Sequence, residues 1–193
     1  MRKIFWTSLA LAAFAAAPAW AHPGHGAESS FASGFSHPFS GLDHLLVMAA
    51  IGVWAGLSSH KLWWAWPAAF VTFMLSGFTY GLGGGSFPGA EAAILASVIG
   101  LGLVLLLNVR ISLGLGAALI AFFAAAHGFA HGAEMPASAQ PLRFALGFGA
   151  ATLILHVLGL ICAWGILRWP GRPFARAAGA GLTAAGLMLA IFG

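Results

Sequence analysis

Residues 88–107 read PGAEAAILASVIGLGLVLLL and carry a single charge, Glu91. A helix rises about 1.5 Å per residue, so a run of about 20 apolar residues crosses the hydrocarbon of a bilayer. The rest of the chain repeats this character. Of its 193 residues 61% are hydrophobic and 6% charged, against about 25% charged in a soluble domain. This composition implies an integral membrane protein. Further apolar runs lie near 40–57, 62–82, 112–131, 141–167 and 173–192, joined by short connections. The expectation is an all-α polytopic bundle of six transmembrane helices. The net charge of +4 comes from few, scattered basic residues, not a clustered stripe, so no nucleic-acid partner is implied. The one cysteine, Cys162, lies in an apolar run and reads as packing.

The N-terminus has the pattern of a secretory signal. Arg2 and Lys3 precede an apolar core from Ile4 to Ala17, and Ala19-Trp20-Ala21 supplies an Ala-x-Ala cleavage pattern. The predicted organisation is a signal peptide over 1–21, a polar, His-bearing periplasmic tail over 22–36 and a six-helix transmembrane domain over 37–193. A cleaved signal places the mature N-terminus outside the cytoplasm. The first, third and fifth connections then face inward, and they hold Lys61, Arg110, Arg168 and Arg172, with Arg176 close by and only Arg143 outside. That distribution independently satisfies the positive-inside rule and points to a bacterial inner membrane. The four acids, Glu28, Asp43, Glu91 and Glu134, all fall on the outer side, where they would concentrate cations.

Two groups of residues carry chemistry. The stretch 37–48, HPFSGLDHLLVM, sets His37, Asp43 and His44 at the start of a span and adds Met48 four residues later. If Pro38 occupies the first helical turn, His37 lies near the cap, and His37, Gly41 and His44 share a face. Ionisable groups at such depth are costly and usually functional, and imidazole with carboxylate suits a first-row divalent metal. The second group, HGFAHGAE at 127–134, places His127, His131 and Glu134 on one face at the end of a later span. A His-x-x-x-His pair presents two nitrogens to one metal, but Gly128 stands where a zincin protease has its glutamate. Both groups are expected at the same side of the membrane.

Lesser candidates complete the set. His22 with a freed α-amine, and His25, could chelate a metal and pass it inward. Glu91 begins the third span, and His156 lies midway along the fifth, too deep for the outer site and placed for a relay. His60 reads as loop surface. Trp63, Trp64 and Trp66 read as an interfacial belt. Gly52/Gly56, Gly77/Gly81 and Gly128/Gly132 have the small-xxx-small spacing of close helix contacts.

The signal peptide, the start His22-Pro23-Gly24-His25, the pattern His-Pro-x-x-Gly-x-Asp-His-x-x-x-Met at 37–48 and His-Gly-x-x-His-Gly-x-Glu at 127–134 resemble the HupE/UreJ family of nickel and cobalt permeases. The likeness covers essentially the whole chain. It implies secondary uptake of Ni(II), or Co(II), across the inner membrane for nickel enzymes such as hydrogenase or urease. Its motif residues map onto His37, Asp43, His44, Met48, His127, His131 and Glu134. No tightly bound cofactor is expected, and the absence of a Walker A sequence fits transport driven by gradients rather than ATP. Two other classes remain open on the residues alone: an intramembrane zinc-dependent hydrolase using the His/Asp cluster, and a haem carrier using paired histidines.

Overall fold

In a computed structural model, residues 27–58, 61, 63–167 and 172–192 are described. The expected signal peptide, His22, His25, His60 and Arg168 lie outside the described residues. Among the described residues seven helices follow one another: α1 (Ala27–Ser40), α2 (Leu42–Leu57), α3 (Ala65–Leu82), α4 (Ala90–Leu107), α5 (Leu113–Ala133), α6 (Pro141–Leu167) and α7 (Arg172–Phe192). Helices α2 to α7 coincide with the six apolar runs to within a few residues, and no strand occurs among the described residues.

Four of them, α4 to α7, are each long and apolar enough to cross a membrane alone. Helices α1 and α2 qualify together as one bent span, with an 85° turn between them. Helix α3 has enough residues, but Trp66, Pro67, Tyr80 and its glycines dilute its hydropathy. The protein is thus a multi-span helical membrane protein.

Helix α1 corrects the sequence reading. Residues 27–36 were expected to be a polar tail, yet they form a helix continuous with 37–40. Its small residues are the means of docking. Gly34 packs against the Phe144 carbonyl, Gly147 of α6 against the Phe31 carbonyl, and the Ser30 hydroxyl accepts from the Gln140 N–H at 2.9 Å. Pro38 is likewise not in a first turn; it sits in the last turn of α1.

The same close approach recurs across the bundle. Gly77 and Gly81 of α3 face Gly128 and Gly132 of α5, and a methyl on any of the four would overlap the partner's backbone. Gly52 and Gly159 join α2 to α6, while Gly102 and Gly179 join α4 to α7. In lipid no hydrophobic force separates helix from helix, so such contacts supply association by close packing. The connections end helices sharply: Asn108 takes the left-handed conformation at φ 51° after α4, and the Ser112 hydroxyl caps α5 by accepting from the Leu115 N–H at 3.3 Å.

The tryptophan belt is also corrected. Trp64 is exposed, but Trp66 is buried and stacks on Trp54 with ring centroids 3.9 Å apart. Cys162 does not pack inside the bundle; it is exposed on α6.

Candidate metal centre

The break between α1 and α2 builds the site. The Gly41 carbonyl accepts from the Leu45 N–H at 3.1 Å and so opens α2, which puts Asp43 in the first turn. Asp43 Oδ1 accepts from the His44 backbone N–H at 2.9 Å and lies 2.7 Å from His44 Nδ1. A Cβ at position 41 would stand 2.8 Å from both Asp43 Oδ1 and His44 Nδ1, so glycine leaves the room this pair occupies. The sharp bend means that His37 and His44 do not share one helical face, as the sequence reading had it. They approach the same place from two helices.

That place is His131. Its ring lies 4.4 Å from His37, 4.4 Å from His44 and 4.4 Å from Phe148, centroid to centroid. His127, one turn earlier on α5, lies 5.0 Å from His44. The two sequence groups, with His44 and His127 83 positions apart, therefore meet at one end of the bundle. Glu134, at the C-cap of α5, is exposed but near enough to His37 to act on it electrostatically. Met48 is fully buried one turn below His44. Glu91 is exposed in the first turn of α4, at this same end but outside the ring contacts and hydrogen bonds that join the cluster. His156 is buried deeper, against Phe70.

Hydrogen bonds settle the tautomers. A carboxylate or a carbonyl only accepts, so His44 Nδ1–H donates to Asp43 and His127 Nδ1–H donates to the Phe123 carbonyl at 2.8 Å. Each ring then carries its lone pair on Nε2. Both of those Nε2 atoms, and both nitrogens of His131, are buried without a hydrogen-bond partner. Native proteins rarely leave such groups unsatisfied, and the omission costs free energy. The rings pack edge against face, and among the described residues no three His, Cys, Asp or Glu side chains converge their donor atoms as they stand. The cluster is a set of available nitrogens beside one carboxylate, walled by Phe70, Phe144 and Phe148.

The sequence reading missed that apolar wall, and with it Met74 and Thr152. The spacing was there: Phe70, Met74 and Phe78 recur every four residues on α3, as do Phe144, Phe148, Thr152 and His156 on α6.

These features define a multi-span helical membrane protein with His37, His44, His127 and His131 gathered at one end. The model of the family described as HupE / UreJ protein matches residues 9–189. The chain is 40% identical over 173 residues, 90% of each sequence, to Protein HupE of Rhizobium leguminosarum bv. viciae. No solved structure matches it. The chain belongs to the HupE/UreJ family.

Proposed function

We propose that this protein is a secondary permease that carries Ni(II), or Co(II), across the bacterial inner membrane into the cytoplasm, for use by nickel enzymes such as hydrogenase or urease. The observation that carries the reading is the buried, partnerless nitrogens of His44, His127 and His131 beside the Asp43 carboxylate. Imidazole and carboxylate donors suit a late first-row divalent ion. In this reading Asp43, His44, His127 and His131 bind the ion, after small ring rotations that turn the free lone pairs toward it. His37, Met48 and Glu134 stand next to them, and Glu91 adds negative charge at the same end.

Direction follows from charge. Among the described residues Lys61, Arg110 and Arg176 are exposed at the end of the bundle away from the cluster, with Arg143 alone at the cluster end. The positive-inside rule then faces the cluster, and the mature N-terminus, to the periplasm, with all six of α2 to α7 counted as crossing segments. Inward movement of a divalent cation gains roughly 4.6 kcal/mol at about 100 mV. Family membership lends nothing to the zinc hydrolase alternative.

The test is uptake of nickel-63 by cells lacking their own nickel importers. Wild type should accumulate nickel, excess cobalt should compete, and Asp43→Asn or His44→Ala at matched expression should abolish accumulation. Uptake unchanged in both variants would sink the assignment of the site.

A further inference from the structure

Below the histidine cluster lies a second group of donors. Met48 is four residues beyond His44 on α2, and Thr152 is four beyond Phe148 on α6. The Thr152 hydroxyl stands 3.4 Å from Met48 Sδ, 3.5 Å from Met74 Sδ and 2.9 Å from the Phe148 carbonyl. A hydroxyl has one hydrogen. The carbonyl is both the nearer and the stronger acceptor, and it takes that hydrogen in the usual back-bond to the preceding turn. The hydroxyl lone pairs and two thioether sulfurs are then left facing one another with no hydrogen between them, in a fully buried setting. Such lone pairs are donors that suit a late first-row divalent cation.

One turn further along α6 lies His156. Its side chain is 2% exposed, and neither ring nitrogen has a hydrogen-bond partner. A neutral imidazole always carries one free lone pair. The Phe70 ring links the two levels, at 5.7 Å from His127 and 5.3 Å from His156. Phe70 and Met74 are themselves one turn apart on α3.

We infer that Met48 Sδ, Met74 Sδ, Thr152 Oγ1 and His156 form a second station for a late first-row divalent cation, through which the ion leaves the histidine cluster toward the opposite end of the bundle. The inference rests on the permease reading and deepens it. Thioether and imidazole donors select nickel or cobalt over magnesium or calcium, which prefer oxygen. Every donor of the station is neutral, whereas the cluster above includes Asp43. The ion is therefore held less tightly below than above, and conduction needs a stop that can be left as well as entered.

The test uses the full-length protein in a Cys162→Ser background, which removes the one thiol, exposed on α6. Protein purified with excess Ni(II) should show sulfur scattering at the nickel K-edge, and Met48→Leu/Met74→Leu should remove it. Leucine keeps the bulk of methionine and its packing. In cells, Met74→Leu alone and His156→Asn should each lower the maximal nickel uptake rate by at least about tenfold, while affinity at the cluster stays within about twofold, a loss in turnover rather than in binding. Absence of a sulfur shell in the Cys162→Ser protein, or full uptake rates in the folded variants, overturns the second station alone. A wild type that neither binds nor imports nickel overturns the permease reading and the station together.

Discussion

Two helix pairs are built alike and do different work. Helices α3 and α5 cross through Gly77, Gly81, Gly128 and Gly132; helices α4 and α7 cross through Gly102 and Gly179. Both crossings bring backbone against backbone with no room for a methyl. Among the described residues only the first leaves buried polar nitrogens without a partner, those of His127 and His131 on α5, beside the apolar Phe70, Met74 and Phe78 of α3. The second carries the part-buried Thr183 hydroxyl, which donates to the Gly179 carbonyl at 2.9 Å and is thereby satisfied. Close packing is thus the common scaffold, and function is marked by polar atoms that the scaffold leaves unsatisfied.

The sharpest way to break this contrast is to truncate one polar side chain in each pair. His131 touches three rings of the site, so His131→Ala should lower nickel uptake by more than the roughly 10–100-fold that loss of an outer partner of a metal site brings. Thr183→Ala removes a bond within its own helix and should leave uptake at matched expression within about twofold. Equal losses in the two variants would mean that the α4–α7 crossing shares in transport and that the division is wrong.

A smaller effect tests how the site is held in place. Gly41→Ala puts a methyl 2.8 Å from both Asp43 Oδ1 and His44 Nδ1. The pair must move apart or turn, and nickel affinity should fall about tenfold, or about 1.4 kcal/mol. The bundle itself should stay intact, since this methyl meets only these two flexible side chains. Equilibrium dialysis of nickel against the purified protein, with its thermal midpoint as control, reads both quantities. Unchanged affinity would show that the Asp43–His44 contact is incidental to binding.

The sequence made the helices and the two His groups legible because both depend on local spacing. Apolar runs mark spans by length, and His127 and His131 share a face at any helical register. The 85° turn at Gly41 was not legible. Ser30, Gly34 and Pro38 look like tail composition until α6 is in place to receive them, and a proline can open a helix as readily as it closes one. Trp66 was misread for a related reason: a tryptophan near a span end is ambiguous until a partner, here Trp54, claims its face. Met74 and Thr152 carried no motif at all. What makes them notable is the convergence of three helices on one hydroxyl, a property of packing that no local pattern encodes.

The smallest predicted effect separates scaffold from site within a single helix. Gly100 and Gly102 lie two residues apart on α4, so they point away from one another. A Cβ at Gly102 would collide with the Thr183 side chain and backbone, whereas a Cβ at Gly100 meets nothing within 4 Å. Gly102→Ala should therefore cost about 1–3 kcal/mol through overpacking, seen as a lower thermal midpoint in detergent. Gly100→Ala should be neutral or should stabilise the helix by about 0.5–1 kcal/mol, because alanine loses less backbone freedom than glycine. Neither change reaches the histidines, so nickel affinity of the folded protein should match wild type in both. If Gly102→Ala weakened nickel binding along with stability, the α4–α7 pair would be transmitting strain to the cluster, and the scaffold could no longer be treated apart from the site it supports.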